Sequence, residues 1–164
     1  MDLTQKELKS IFRYNKKTGS LIWKINIVGN NGVGSEAGYI LKTGHRFIGY
    51  KQKRYLAHRI IWMLLYGYAP KMIDHINHIG SDNRLVNLRE VTSRENQRNM
   101  KLHKSNTSGF CGVSFVKSSK RWRAYIMIND KQINLGYYEN KNEAINARKE
   151  ANVKHGFHKN HGSK

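Results

Sequence analysis

The sequence predicts an α+β protein assembled from small modules in series, not a single domain around one large core. Three observations lead there. Only 38% of the 164 residues are hydrophobic and the mean hydropathy is −0.72, too little apolar mass for one extensive interior. Short capped helical stretches alternate with strand-like runs bounded by Gly, Asn and Ser. The charge is also uneven. Residues 1–57 carry 11 Lys+Arg against 3 acids, residues 58–99 carry 6 against 4, and residues 100–164 carry 13 against 4.

The N-terminal stretch opens with Thr4-Gln5-Lys6-Glu7, a capping box with Thr4 as N-cap. Leu3 and Leu8 stand at staple positions, and Leu8, Ile11 and Phe12 form one apolar face, so a helix is predicted over 5–13. Asn15–Gly19 reads as a turn and Ser20–Lys24 as a strand. A glycine-rich loop is expected over 29–38. Strands are expected near 38–42 and 45–50, with a turn at Thr43-Gly44.

Leu56–Tyr66 is apolar enough for a buried helix that stops at Gly67, ahead of Pro70. A strand at 72–75 follows, then a polar loop over 76–86 and a second short strand at 87–91. Thr92-Ser93-Arg94-Glu95 forms another capping box, so a helix starts at Ser93 with Asn96 in its first turn. Residues 101–109 read as a linker. Strands are predicted at 112–116, 121–128 and 132–138, and a helix from the Asn140 cap to about Lys154 with an inner stripe of Ala144, Ala147 and Ala151. The tail after Gly156 is expected to fray. The expected organisation is therefore 1–55, an N-terminal helix and hairpin region; 56–100, a ββα module; 101–108, a linker; 109–157, a sheet with one helix; and 158–164, a basic tail.

Composition narrows function as well. A net charge of +19 and a pI near 10.2 are the electrostatic footprint of a nucleic-acid binder, because basic groups release counterions condensed on phosphate. The longest apolar run, Ile60–Tyr66, is too short to span a bilayer. Neither a signal segment nor a long basic amphipathic helix is evident, so no membrane partner is expected. The single cysteine, Cys111, excludes an internal disulfide framework and a multi-cysteine zinc site, and fits a reducing, intracellular setting.

The densest polarity lies between residues 72 and 99. Asp74-His75-Ile76-Asn77, Asp82-Asn83-Arg84, Asn87-Leu88-Arg89 and Glu95-Asn96 follow one another, preceded by His58-Arg59. Phosphodiester cleavage needs an activated water, neutralisation of charge developing on phosphorus, and help for the leaving oxygen. A histidine suits the first task, and a divalent cation suits the others. On a hairpin strand Asp74 and His75 point to opposite sides of the pleat, so one can hold metal while the other faces water.

In this order and spacing, the motifs over about 56–99 resemble the HNH endonuclease family, especially its phage and intron-encoded branch with asparagine at the third position. The resemblance implies Asp74 and Asn96 as metal ligands, His75 as general base, and Asn87 as the residue that fixes the hairpin loop and so orients His75. Other members place a histidine where this chain has Asn96. Two oxygen donors favour Mg²⁺ or Mn²⁺ over Zn²⁺, one ion per site. His58 is expected to be structural, packed under the site, and Asp82, Asn83 and Arg84 to stabilise the loop.

Further along stand Ser108–Val113, Arg121-Trp122-Arg123-Ala124, Leu135-Gly136-Tyr137-Tyr138 and Glu143-Ala144 with Ala147. Over roughly 106–157 these resemble the AP2 DNA-binding domain. The resemblance implies a three-stranded antiparallel sheet on one helix, with the sheet laid in the major groove. One face would pack on the helix while the other presents Arg and Trp to DNA. The candidate DNA contacts are Arg98, Lys120, Arg121, Trp122 and Arg123. Cys111 stands where plant members usually carry a DNA-contacting arginine, which implies relaxed sequence readout.

The function these readings favour is a divalent-metal-dependent DNA endonuclease, of nicking or homing type, targeted to duplex DNA by the C-terminal module. No obligate protein partner is implied. The alternatives are a regulator that keeps the HNH fold only as a scaffold, and a ribonuclease. The intact Asp74, His75, Asn87 and Asn96 set speaks against the first. Against the second, the A-form major groove is too narrow for a sheet.

Overall fold

A computed structural model describes residues 2–29 and 31–163. Two compact units emerge, dividing between Thr92 and Ser93. That division falls ahead of the expected boundary at residue 100, so the short helix carrying Asn96 belongs with the C-terminal unit.

In the first unit, α1 (Gln5–Ile11) starts from the Thr4–Glu7 capping box. It stops two residues earlier than predicted. From Phe12 onward burial alternates, and β1 (Phe12–Asn15) pairs antiparallel with β2 (Ser20–Trp23). Next come β3 (Tyr39–Ile40), β4 (Arg46–Tyr50) and β5 (Lys53–Leu56), a small antiparallel sheet in the order β3-β4-β5. Neither β1 nor β5 is evident from the sequence: β1 hides at the end of a helical pattern, and β5 is a charged edge strand with no apolar alternation.

The buried helix α2 (Ala57–Tyr66) closes at Gly67, as expected. It packs on α1, where the Gln5 side chain donates to the Leu64 carbonyl at 3.0 Å. Around it gather Leu8, Ile11, Phe12, Leu21, Trp23, Ile48, Ile60 and Ile61, the main core of this unit. The chain then forms β6 (Ile73–His75), a polar loop, a 3-10 turn over Leu85–Asn87, and β7 (Leu88–Glu90), which pairs antiparallel with β6.

The second unit opens with α3 (Ser93–Gln97) and continues through β8 (Val113–Val116), β9 (Arg121–Ile128), β10 (Lys131–Tyr138) and α4 (Lys141–Lys154). The sheet order is β10-β9-β8, antiparallel throughout, with α4 across it. Asn140 caps α4 by accepting from the Asn142 amide at 2.8 Å. Ala144 and Ala151 are buried, and Ala144 meets Val113 and Ala124 in a small core. Three antiparallel strands followed by one helix thus occupy residues 113–154.

The tail does not fray as expected. Amides of His158 and Gly162 donate to the carbonyls of Arg98 and Met100 at 3.0 and 2.8 Å, and Leu102 donates to Ser163 at 2.9 Å. These backbone bonds tie 158–163 to 98–102 and bring the expected linker into the second unit. Among the described residues, no helix is long and apolar enough to cross a membrane.

Candidate active site

The β6–β7 hairpin carries the first-unit residues of the candidate site. Its register sets Asp74 opposite Arg89 and His75 opposite Leu88. Asp74 and His75 are both buried. Arg89 donates to Oδ2 of Asp74 from Nε at 3.0 Å and from Nη2 at 2.8 Å, a two-bond ion pair that offsets the cost of burying the carboxylate.

The His75 ring is held from the loop. Its Nε2 lies 3.0 Å from Oδ1 of Asn83, which is itself fully buried. An amide oxygen only accepts, so this contact places the ring proton on Nε2 and leaves Nδ1 as the basic nitrogen. Asn83 is secured in turn: Tyr14 of β1 donates its hydroxyl to the Asn83 carbonyl and accepts from the Leu85 amide, both at 3.0 Å. Burial pushes the His75 pKa below its ordinary value, and the Asn83 hydrogen bond opposes that shift. The neutral, proton-accepting form of the ring is thereby favoured.

Asn87 fastens the same loop. Its Oδ1 accepts from the Asn77 amide at 2.9 Å, its Nδ2 donates to the Asp82 carbonyl at 2.8 Å, and its own carbonyl accepts from Ile76 at 2.9 Å. The Asp82 carboxylate accepts from Asn77 at 2.7 Å and from Arg84 at 2.8 and 2.6 Å. The Arg84 guanidinium, with smaller contributions from other donors, holds the Asp82 carboxyl down at about 2.

Behind His75 stand two more imidazoles. His58 on α2 meets it edge-on, with centroids 5.0 Å apart, and His45 stands 5.6 Å from His75 and 5.8 Å from His58. Burial, reinforced by the neighbouring imidazoles, drives the His58 pKa down to about 3. His58 is thus a neutral packing ring, the structural role expected of it. Among the described residues, no three His, Cys, Asp or Glu side chains are arranged to hold a metal ion. The donor chemistry of the predicted ligands, a carboxylate and a carboxamide, suits a hard cation such as Mg²⁺ or Mn²⁺. Asp74 lies on β6 in the first unit and Asn96 on α3 in the second.

Asn83, expected from the Asp82-Asn83-Arg84 motif to support the loop, also holds the His75 ring. Tyr14 and His45 are the contributors that the sequence does not indicate. Nothing local in the sequence ties Tyr14 or His45 to the hairpin.

In the second unit, Lys120 sits in the β8–β9 turn with φ of 53°. Alternation along β9 sends Arg121, Arg123, Tyr125 and Met127 to one face, and Trp122, Ala124 and Ile126 to the other. Trp122 therefore does not share a face with the arginines, contrary to expectation. It packs beside the Val113–Ala124–Ala144 core, 5.2 Å from the Phe115 ring, with the Lys141 ammonium 5.3 Å from its own ring. The face away from α4 carries Arg121, with Arg123 4.8 Å from the Tyr125 ring and flanked in register by Ser114 and Tyr137. Arg98, just beyond α3, lies 5.7 Å from the Phe157 ring.

In comparison with known proteins, residues 55–98, which include this hairpin, match the family model for HNH endonucleases. That segment supports a DNA endonuclease at the level of the family. Over 80 residues the chain is also 40% identical to Protein 3.8 of Escherichia phage T7, an alignment spanning 48% of this chain and 66% of that protein, just under two thirds of its length. No solved structure matches significantly.

Proposed function

We propose that this protein is a divalent-metal-dependent DNA endonuclease that hydrolyses a phosphodiester bond with His75 as general base. The observation carrying this reading is the 3.0 Å contact between His75 Nε2 and Asn83 Oδ1, beside the buried Asp74, inside the HNH-matched segment. Nδ1 of His75 accepts the proton of the attacking water. Asn87 keeps the loop closed so that Asn83 stays in reach of the ring. Asp74 and Asn96 would be the residues to hold Mg²⁺ or Mn²⁺, and the chemistry such a cation would supply is neutralisation of charge developing on the phosphate and assistance to the leaving oxygen. Arg89 orients the Asp74 carboxylate and limits the negative charge there.

The second unit is read as an AP2-like targeting module. Arg121 and Arg123 on the face away from α4, with Lys120 at its edge and Arg98 near α3, supply cations for duplex DNA, while Trp122 supports that face from behind. One active site per chain makes a single-strand nick the elementary product.

The test is a supercoiled plasmid incubated with the protein and Mg²⁺ or Mn²⁺. Open-circular product that disappears with EDTA and with His75→Ala is the expected result. Tight DNA binding with no nicking under any divalent metal would instead make the protein a catalytically silent DNA-binding regulator.

A further inference from the structure

The second unit contains a cleft of about 600 Å³ whose walls come from α3 and the segment after it, from β9, and from Arg148, Phe157 and His161. Its cations are unbalanced. Arg94, Arg98, Lys101 and Arg148 line it against the single carboxylate of Asp130, and none of the four forms an ion pair among the described residues.

Arg148 is the anomaly. It sits on α4 among the inner alanines, yet only 2% of its surface is exposed. Its Nε and Nη1 are buried with no hydrogen-bond partner among the described residues, and the polar side chain beside the guanidinium is the Cys111 thiol rather than a carboxylate. Its Nη2 lies 3.5 Å from the His161 ring, and its guanidinium lies 4.9 Å from the ring of Phe157. Arg98 approaches that same ring at 5.7 Å, so two guanidinium groups converge on one phenyl. Room for this is provided by Gly112, at φ +75°, where a Cβ would stand 2.4 Å from Arg148 Nε. A buried guanidinium lacking a carboxylate is costly unless an anion completes it.

We propose that this cleft is a phosphate-binding site, with Arg148 at its inner wall and Arg94, Arg98 and Lys101 at its rim. The ligand is a phosphate group, either on a nucleic-acid backbone or on a mononucleotide whose base lies against the Met100, Met127 and Phe157 side chains. The backbone source rests on the reading of the second unit as a DNA-gripping module. The phosphate site itself does not.

The experiment is an NMR titration of the full chain that follows the Arg148 Nε–Hε resonance at constant ionic strength. Inorganic phosphate should shift it saturably and chloride should not. The variant with both Arg94→Gln and Lys101→Gln, which alters only exposed rim residues, should weaken the phosphate titration by about tenfold or more, because charge-assisted bonds are lost. Two further arms separate the sources. If a short DNA duplex displaces phosphate at this resonance, the ligand is backbone phosphate. If 5′-dAMP binds at least tenfold more tightly than inorganic phosphate and duplex does not compete, the ligand is a nucleotide. No saturable shift, an equal shift with chloride, or an unchanged curve in the double variant would overturn the proposal. Plasmid nicking by the wild-type chain is scored separately, so failure of the phosphate site and failure of the nuclease reading are distinguishable.

Discussion

His75 and Asn83 meet at 3.0 Å in the interior of the hairpin loop, and the amide oxygen of Asn83 selects which nitrogen of the imidazole carries the proton. Asn83→Asp keeps the size of the side chain but puts a carboxylate against Nε2. The imidazolium is then stabilised, the His75 pKa rises, and the acid limb of the nicking rate moves to higher pH. Asn83→Ala removes the acceptor, so nicking falls while the acid limb does not rise. A pH–rate profile of the two variants separates these effects.

His75→Ala should leave the far-UV circular dichroism spectrum and DNA binding close to wild type, while nicking falls by roughly 100-fold or more, the scale of a lost general base. Because burial lowers the wild-type His75 pKa, the wild-type rate should hold at pH values where an ordinary histidine is already protonated. An acid limb at or above the ordinary histidine range would remove His75 from the base role.

His58 predicts a pH dependence of stability. Its pKa is about 3 in the folded protein against 6.5 for an unperturbed histidine. Between those values the unfolded chain binds the extra proton, so stability is complete above the unfolded pKa and is lost as pH falls toward 3. His58→Gln should flatten that part of the Tm-versus-pH curve. The measurement is thermal unfolding across this range for both proteins.

For the metal, Asp74→Asn should reproduce the effect of EDTA on nicking while keeping a hydrogen-bond acceptor for Arg89. Asn96→His should move the preference toward softer ions such as Ni²⁺ or Zn²⁺, because imidazole replaces an amide oxygen. An unchanged metal rank order in Asn96→His, assayed across a divalent series, would remove Asn96 as a ligand.

Gly19 couples the N-terminal hairpin to the site. It has φ +77°, and a Cβ there would stand 2.5 Å from the Arg84 amide nitrogen, next to Asn83. Gly19→Ala should cost more than about 1 kcal/mol, because both the backbone angle and the space are wrong for it. The strain falls on the loop that holds His75, so nicking should drop along with Tm. A variant with wild-type Tm and rate would show that the hairpin does not brace the loop.

Much of this protein is set out along the sequence itself. The Thr4–Glu7 box, the apolar run ending at Gly67, the Asn140 cap and the β9 alternation locate elements because caps and periodicities act over three or four residues. The Asp74-His75, Asn87 and Glu95-Asn96 motifs likewise mark the candidate site by their chemistry and spacing. Short charged strands such as β5 escape notice because their pairing is decided by a neighbour rather than by their own pattern. The face occupied by Trp122 follows from strict alternation once β9 is one continuous strand against α4. Only the folded chain decides that Tyr14 braces Asn83, that His45 and His58 stand against His75, and that the tail is tied to 98–102. Each of these joins residues far apart in sequence, and such contacts are fixed by the packing of whole elements, which no local signal encodes.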